Sequence, residues 1–387
     1  PGAPPAGPDT VFNMGPSGGV FTAALLASEI HRGGLGWDAP AASLSVQTDS
    51  ADAATAAFPV TVGQLSAHFG ALPETPPGWE PPDPHYPLAG LDAQALEDAL
   101  SGMVASFPPG DRFYVSRMGY GLLGLFLEEH TGQPLPALFR DRLARPLALE
   151  RTVYTADVFD HPPAPGHLGL DPLPPPPAAH LPGIGMQYTS ARDLLRFAAA
   201  HVPMSRTPLH DFLVQTRALV VPDIAGQTHM ARGWYVTQRP EAIIYWHRSE
   251  YGGYSVFVGY EPARQVAAVV LANGGQPVGS FGFHLLAPEV YPLPEIEASR
   301  RIPVREARAL AGTYRLAPDL TLKVSLEKGR LHGQLTGKPR FPLRRMDRLR
   351  FSMGSTELEF SRPQNDLARS VRVREGTVSI KAKRIGR

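Results

Sequence analysis

The chain has 387 residues, of which 43% are hydrophobic, so it is long enough for two domains with buried cores. It contains no cysteine, which excludes disulfides, thiol catalysis and cysteine-ligated metal sites. The net charge of +1 hides a division, because residues 300–387 carry 17 Arg and 5 Lys against 8 acidic residues, a balance of +14, whereas residues 1–299 carry −13.

Helical patterns dominate the N-terminal part of the chain. Apolar and small residues on one face predict a helix from Gly15 to Gly33, where two glycines end it. Other helical patterns cover Val60–His68 (a short helix or turn), Leu91–Phe107, Tyr120–Leu149 with breaks at Gly132 and Pro146, and Thr189–His201. Two proline-rich segments, residues 73–88 and 159–183, are predicted loops.

Short β-branched and aromatic runs dominate the remainder. Four of them predict antiparallel strands, at Gly233–Val236, Ala242–His247, Tyr254–Tyr260 and Val266–Asn273. After a proline-punctuated segment, every predicted element is a strand: Gly312–Leu316, Thr321–Glu327, Arg330–Leu335, Leu349–Ser352, Glu357–Ser361, Ser370–Glu375 and Thr377–Lys381. Short strands at regular spacing are typical of a small β-barrel or sandwich.

These patterns predict an α/β fold with two domains. Residues 1–290 are expected to form an antiparallel sheet flanked by helices, with a helical subdomain at about residues 60–200. Residues 291–303 are a predicted linker, and residues 304–387 a predicted antiparallel β-barrel. No apolar run approaches the roughly 18 residues of a membrane helix, and no signal peptide is recognisable.

Four sequence landmarks, in chain order, carry a family resemblance. They are Asp9–Gly15 with Phe21-Thr22-Ala23; Val60-Thr61-Val62 with Leu65, His68, Leu72 and Pro73; Pro109-Gly110 with Arg112-Phe113 and Gly119–Gly124; and His247 with Gly253-Tyr254, Pro262 and Val269–Asn273. Together they resemble the serine β-lactamase and penicillin-binding-protein superfamily, especially its class C-like esterase and peptidase branch. Farther on, Leu310–Tyr314, Gly329-Arg330-Leu331 and Leu335-Thr336-Gly337 resemble the lipocalin-like barrel often fused behind that domain.

The resemblance implies a catalytic Ser-x-x-Lys at the start of the first helix, where the serine attacks a carbonyl and the lysine handles its proton. Aligned on Gly15 and Phe21, these positions hold Pro16 and Gly19. Proline offers no nucleophile and glycine no base. No lysine precedes Lys323, so none in the first domain can replace the missing one.

Two further motifs of the resembled family are also changed. Where the family has Tyr-x-Asn, this chain has Val115 and Arg117. Where a strand headed by Lys or His continues with Thr/Ser-Gly, this chain has His247, Arg248 and Ser249, so only the histidine remains. Three independent losses predict a catalytically inactive relative that acts through ligand binding or assembly.

A relocated nucleophile is the alternative. Ser17 lies one residue from the family position, and one residue turns a helix by about 100°. Its hydroxyl is therefore expected to miss the pocket unless the glycines that follow distort the first turn. With that distortion, His68, His247 or Tyr120 would be the base, and the protein would be an esterase, amidase or D-amino-acid peptidase.

Arg117, Tyr120, His247 and Arg248 are the candidate ligand-binding residues. Two arginines in a cleft without a lysine suit an anion such as a carboxylate or phosphate, and a small carboxylate or peptide-like ligand is expected. The alternative is that both arginines form ordinary ion pairs. No metal or cofactor is expected, because the histidines lack metal-binding spacing and Gly15–Gly19 is not followed by the lysine of a phosphate loop.

The opposite net charges of residues 1–299 and 300–387 suggest which partners the protein could bind. Oppositely charged domains are expected to dock on each other, although the basic half could instead attract an external polyanion or membrane surface. Nucleic acid is not favoured, because no motif for it is present. The superfamily usually carries two strands before the segment at Asp9–Phe12, so another segment or a second subunit is expected to complete the sheet, and oligomers could form in that way. The resemblance implies a periplasmic or other extracytoplasmic location, while the lack of a recognisable signal peptide keeps the cytoplasm open.

Overall fold

The computed structural model of the chain describes residues 5–386 except 48–54, 84, 160–161, 169–170, 178–179, 222–227, 275, 295–301, 318–319, 328, 337–339, 346–348, 354–355, 365–366 and 376–377. The chain divides into two compact units. The first contains Pro1–His167 and Pro172–Leu293, and the second contains Leu168–Asp171 and Pro294–Arg387.

The described helices are α1 (Gly19–Arg32), α2 (Val62–Ser66), α3 (Ala93–Gly102), α4 (Arg117–Thr131), α5 (Leu135–Phe139), α6 (Arg145–Leu147), α7 (Ala191–Ala199), α8 (His210–Leu213), α9 (Gly279–Leu286) and α10 (Val304–Leu310). A 3₁₀ turn, Gly15–Gly18, leads directly into α1. A π-helical turn, Arg140–Ala144, joins α5 to α6. Within the described part of the chain, no helix is long and apolar enough to cross a membrane.

The strands of the first unit are β1 (Val11–Asn13), β2 (Pro40–Gln47), β3 (Thr55–Thr61), β4 (Val104–Ala105), β5 (His167–Leu168), β6 (Asp171–Pro172), β7 (Tyr188–Ser190), β8 (Leu219–Val221), β9 (Thr228–Ala231), β10 (Tyr235–Gln238), β11 (Ile243–Tyr251), β12 (Tyr254–Glu261) and β13 (Val266–Ala272), with β5 and β6 at its boundary with the second unit. The second unit continues with β14 (Gly312–Arg315), β15 (Thr321–Glu327), β16 (Arg330–Leu335), β17 (Arg340–Pro342), β18 (Arg344–Arg345), β19 (Arg350–Met353), β20 (Thr356–Phe360), β21 (Ser370–Glu375) and β22 (Val378–Gly386).

The first unit is built on a six-stranded antiparallel sheet in the order β13-β12-β11-β10-β9-β8. Alternate residues of β12 point to opposite faces. Val256 and Val258 join the large core that also contains α1 and α7, while Phe257 joins a smaller core with Leu286 of α9. Both faces of the sheet are thus covered by helices. Among the described residues, β13 has a strand partner on one side only.

Helix α1 runs through the large core. Every residue from Gly19 to Glu29 is buried, and Phe21 packs edge-on against Phe139 and Phe197. The helix ends at Arg32, and Gly33 follows with a φ of +90° that favours glycine. A two-stranded pairing of β1 with β7 holds the chain just before α1.

The second unit is an antiparallel sheet of nine strands in the order β17-β16-β15-β14-β22-β21-β20-β19-β18. Its two edge strands, β17 and β18, are separated in the chain by Leu343 alone. The edges must therefore lie side by side, which wraps the sheet into a nearly closed barrel. Tyr314, Leu322, Phe351 and Leu358 are among the fully buried residues of its core.

The predicted α/β architecture and C-terminal barrel are confirmed, with differences in individual elements. The helix expected over Leu91–Phe107 ends at Gly102, and Val104–Ala105 is instead strand β4, which pairs with β2. The helix expected from Thr189 starts only at Ala191, because Tyr188–Ser190 pairs with β1. Tertiary strand pairing overrides local pattern in both cases.

The prediction that every element after the linker is a strand was wrong. Val304–Leu310 is helix α10, and its seven residues include the strong helix formers Arg, Glu, Ala and Leu behind Pro303. Strand β22 is also longer than the predicted Thr377–Lys381, since it reaches Gly386, and Thr377 itself lies outside the described residues. Strands β2, β3, β8, β9, β17 and β18 were not predicted, because their sequences lack a clear period-two pattern.

Candidate active site

The turn before α1 is held in place by backbone and side-chain hydrogen bonds. Gly15 has a φ of +54°, and its N–H donates to Oδ1 of Asn13 at 2.8 Å. The amide of Asn13 donates in turn to the carbonyl of Met186 at 2.9 Å. The N–H of Met186 donates back to the carbonyl of Gly15 at 2.9 Å. Met186 adopts a left-handed φ of +74°, which is strained for a non-glycine residue and marks a tightly determined site.

Pro16 occupies the first turn without strain, because its missing N–H would have no helical partner there. It is buried and carries no hydroxyl. Three residues farther on, Gly19 faces the ring of Tyr120: a β-carbon at position 19 would lie 3.0 Å from Cε1 and 3.1 Å from Cδ1 of that ring. The Tyr120 hydroxyl donates to the carbonyl of Ser66 at 2.8 Å. The aromatic ring therefore fills the space beside the position where the resemblance implies a lysine.

Ser17 meets His247 inside the protein. The Ser17 hydroxyl lies 3.2 Å from Nδ1 of His247, and the two residues are 0% and 5% exposed. The first turn is a 3₁₀ turn, so it departs from the regular α-helix assumed in the sequence analysis. Among the three candidate bases, His247 is the one that contacts Ser17.

The protonation of His247 limits what it can do. Burial, reinforced by the positive charges of Arg117 and Arg248, lowers the pKa of His247 to about 3. The imidazole is therefore neutral at neutral pH and can accept the hydroxyl proton of Ser17 as a hydrogen bond. Proton transfer is most effective when the pKa of the base lies near the working pH, so a base of this pKa is weak.

Strand β11 packs directly on the turn. Ser249, at the position of the family glycine, donates its hydroxyl to the carbonyl of Met14 at 2.6 Å. A β-carbon on Gly15 would lie 2.7 Å from Cβ of Tyr251 and 3.2 Å from Oγ of Ser249. Contacts of this length leave no room for a substrate chain between the start of the turn and this part of the strand.

The second altered motif has a structural role. Ser116, between Val115 and Arg117, caps α4: its hydroxyl accepts from the N–H of Gly119 and donates to the carbonyl of Pro73, both at 2.7 Å. Its N–H donates to Nδ1 of His68 at 3.2 Å, so His68 is engaged with α4 rather than with Ser17. Burial holds the pKa of His68 well below its usual range. Val115 is half-buried and is not part of any described hydrogen bond.

Arg117 and Arg248 lie in different surroundings. Arg117 is largely buried beside Glu74, with Nε 3.8 Å from the carboxylate, and burial lowers the pKa of its guanidinium. Arg248 is exposed and its guanidinium lies 5.8 Å from the ring centre of Trp246, which stacks on Tyr235. Burial raises the pKa of Tyr235, and the positive charges of Arg117 and Arg248 oppose that shift.

The structure thus brings together most of the predicted positions. Pro16 and Ser17 lie in the first turn, Gly19 follows it, and Tyr120, His247 and Ser249 pack against this segment. Arg117 lies beside Glu74, and Arg248 lies beside Trp246 and the first residue of α9. Sequence reasoning missed Asn13, Tyr235 and Gln187, whose Oε1 would lie 1.7 Å from a β-carbon at position 18. No sequence signal points to Gln187. Within the described residues, no group of three His, Asp or Glu side chains is placed to hold a metal ion.

Comparisons with known proteins bear on the family and the fold. The family described as Beta-lactamase matches residues 2–287. Penicillin-binding protein 4 of Amycolatopsis lactamdurans is 28% identical over 342 residues, which span 79% of this chain and 84% of that protein.

Solved structures show the same fold. The octameric penicillin-binding protein homologue from Pyrococcus abyssi superposes with a TM-score of 0.61 at 19% identity, over 97% of this chain and 89% of that one. The D-amino acid amidase from Ochrobactrum anthropi SV3, complexed with D-phenylalanine, gives a TM-score of 0.53 at 20% identity, over 70% of this chain and 88% of that one. At these identities the likeness concerns the fold alone.

Proposed function

Because the chain belongs to the beta-lactamase family, we propose that it is a non-hydrolytic member that acts by binding a ligand or by assembly. The observation that carries this proposal is the chemistry at the start of α1. Pro16 stands at the position of the family serine, and Gly19 stands at the position of the family lysine. A β-carbon at position 19 would lie 3.0 Å from the ring of Tyr120. A lysine side chain could enter only by displacing that ring.

The size of the expected catalytic loss follows from general principles. Losing a positioned general base costs about 10²–10⁴ in rate. Losing the nucleophile removes the covalent route altogether. The remaining candidate pair, Ser17 and His247, is buried and has a base whose pKa of about 3 is poorly matched to neutral pH. These features together support a protein that binds without turning over.

The two arginines supply the proposed binding chemistry. Arg248 is exposed, and among the residues that the structure describes it has no carboxylate within 4.0 Å. Arg117 lies beside Glu74, with Nε 3.8 Å from the carboxylate. Guanidinium groups beside an aromatic ring recognise carboxylates through paired hydrogen bonds. A small carboxylate or the C-terminal carboxylate of a short peptide is therefore the ligand class that we propose.

Acylation chemistry tests the absence of catalysis. The full chain would be incubated with a fluorescent penicillin, nitrocefin and p-nitrophenyl acetate, followed by intact mass measurement. We expect no covalent adduct, and no turnover beyond that of Ser17→Ala. A stoichiometric adduct on Ser17 that disappears in Ser17→Ala would overturn the proposal.

Calorimetric titration tests the binding part. We expect small carboxylates and D-alanyl-D-alanine to bind, and Arg248→Gln to weaken binding about ten-fold or more, because a hydrogen bond between charged groups is lost. Arg239→Gln is the matched control, since Arg239 is an exposed arginine at the end of the neighbouring strand. Equal effects of the two variants, or no binding by the wild type, would contradict the proposal.

A second candidate function is hydrolysis by Ser17 with His247 as the base. The observation that favours it is the 3.2 Å contact between Ser17 Oγ and His247 Nδ1. Family members among the solved structures include an amidase for D-amino acids, so an ester or amide would be the substrate class. The same mass measurement separates the two candidates. If Ser17 hydrolyses the substrate with His247 as the base, His247→Gln must slow the release of p-nitrophenol as strongly as Ser17→Ala does.

Assembly is the other route by which an inactive member could act. The Pyrococcus abyssi homologue is octameric, and oligomer formation is accordingly part of the proposal. Docking between the acidic residues 1–299 and the basic residues 300–387 also stays a proposal. Light scattering coupled to size exclusion at low and high salt tests both. A monomer whose hydrodynamic radius does not change with salt would count against them.

A further inference from the structure

One face of the C-terminal barrel carries five cations on four consecutive strands. In β15, β14, β22 and β21, alternate residues such as Tyr314, Val324, Ala382 and Val371 are buried in the barrel core. The residues between them point outward, and the five cations among them are exposed. We call Lys323, Arg315, Lys383, Lys381 and Arg372 the basic face.

Strand register places these cations next to each other. Arg315 of β14 lies directly opposite Lys383 of β22, and Lys381 of β22 lies directly opposite Arg372 of β21. Lys323 faces Thr313, two residues from Arg315, and is therefore its diagonal neighbour. Like charges directly opposite each other destabilise a sheet. Folding alone gives no reason to place two such pairs side by side.

The cations of the basic face form no close ion pairs with the described residues. Across the part of the barrel that the structure describes, none of its five cations has a carboxylate within 4.0 Å. In contrast to these cations, the nearby Arg350 and Arg374 both form ion pairs with Glu357, at 3.3 and 3.9 Å. Glu359, opposite Arg372 on β20, forms the border of the basic face.

We propose that the basic face docks the protein on an anionic phospholipid surface. Clustered Lys and Arg are attracted to such a surface, and exposed charges act over about 8 Å at physiological salt. Thr313, Ser370 and Ser379 lie next to the cations and have short side chains, so they leave the charged groups uncovered.

Two observations favour a lipid surface over nucleic acid. Ile385 lies on β22 two residues beyond Lys383 and is 46% exposed, which suits contact with the apolar boundary of a bilayer. The outward positions of these four strands hold no aromatic residue within the described sequence, so bases would find no stacking surface. This inference does not depend on whether the first unit is catalytic.

Vesicle co-sedimentation of the full chain tests the proposal. Vesicles of phosphatidylcholine alone would be compared with vesicles that contain phosphatidylglycerol, at physiological salt. We expect binding only to the anionic vesicles. Each cation near such a surface contributes roughly a five-fold factor in affinity, so Arg315→Gln combined with Arg372→Gln should weaken binding roughly 30-fold.

Arg350→Gln combined with Arg374→Gln is the matched control. It removes two arginines from the same barrel and the same outward layer, but from the Glu357 pairs. We expect a change of less than about three-fold, because the carboxylate of Glu357 offsets part of the charge of these two arginines. Circular dichroism melting confirms that both double variants fold.

Several results would overturn the proposal. Equal losses in the two double variants would show a net-charge effect without a docking face. Equal sedimentation with both vesicle types, or none with the anionic vesicles, would exclude lipid docking. Retention on duplex DNA at physiological salt without vesicle binding would assign the face to nucleic acid instead.

Discussion

The hydroxyl of Ser17 lies 3.2 Å from Nδ1 of His247, with both side chains buried. This hydrogen bond joins the turn before α1 to strand β11, which are 230 residues apart in the chain. A second hydrogen bond, from the hydroxyl of Ser249 to the carbonyl of Met14, connects β11 to the residue just before the turn. In the resembled family this site performs acyl transfer. In this chain, the same site contains two hydrogen bonds that connect the turn before α1 to strand β11.

If this contact is structural, Ser17→Ala should lower the free energy of unfolding of the first unit by about 1–2 kcal/mol, because it leaves a buried imidazole nitrogen without its partner. Urea denaturation measures the loss. Ser101→Ala is the control, since the Ser101 hydroxyl makes an exposed hydrogen bond to the carbonyl of Asp98, and its loss should cost under about 0.5 kcal/mol. Unchanged stability of Ser17→Ala would contradict a structural role.

Buried histidines predict a loss of stability in mild acid. Burial lowers the pKa of His247 and of His201 to about 3, against an ordinary value of 6.5. As pH falls below about 6.5, the unfolded chain takes up protons that the folded chain cannot, so this stability is present above pH 6.5 and is lost toward pH 3. At pH 5 the loss is about 2 kcal/mol for each histidine.

Urea titrations at pH 7.5 and pH 5.0 measure this difference. His201→Gln should make the difference between the two pH values about 2 kcal/mol smaller. His180→Gln, at an exposed position, should leave it unchanged. A wild-type protein of equal stability at both pH values would refute the prediction.

Gly19 should be intolerant of a side chain, for a reason unrelated to helix propensity. Alanine normally stabilises a helical site relative to glycine by roughly 1 kcal/mol. At position 19, however, a β-carbon meets the Tyr120 ring at 3.0 Å, and that ring is fixed by its hydrogen bond to Ser66. Gly19→Ala is therefore expected to destabilise by about 1–3 kcal/mol.

Gly102→Ala supplies the comparison for Gly19→Ala in thermal melts. Gly102 is the last residue of α3, and a β-carbon there would meet nothing within 4 Å. We expect this variant to be neutral or slightly stabilised. Equal behaviour of the two variants would mean that the Tyr120 ring yields easily, and that a lysine could be accommodated at position 19.

Ser249 gives a parallel prediction at the strand. Ser249→Ala keeps the β-carbon but removes the 2.6 Å hydrogen bond to the carbonyl of Met14, which should cost about 1 kcal/mol. Ser249→Gly, which restores the family residue, should cost more because glycine also disfavours the strand. Amide hydrogen exchange should quicken in the turn Gly15–Gly18 in both variants. Unaltered exchange would show that other bonds hold the turn.

Much of this protein follows from its sequence because the relevant facts are residue identities at recognisable positions. The sequence alone shows Pro16, Gly19 and the absence of lysine before Lys323. No geometry is needed to recognise that a nucleophile or a base is missing. The α/β class and the C-terminal barrel follow from the change of hydrophobic period along the chain. Helix α10 was not predicted, because seven residues are too few for a helical period to be recognised.

Only the tertiary structure decided how the altered positions are used. Sequence reasoning assumed α-helical rotation at Ser17, whereas the turn is 3₁₀ and the Ser17 hydroxyl contacts His247. Residues distant in the chain fill the remaining space: Tyr120 lies beside Gly19, and Gln187 beside Gly18. Close packing makes each of these contacts depend on the whole core, so no local pattern could have specified them.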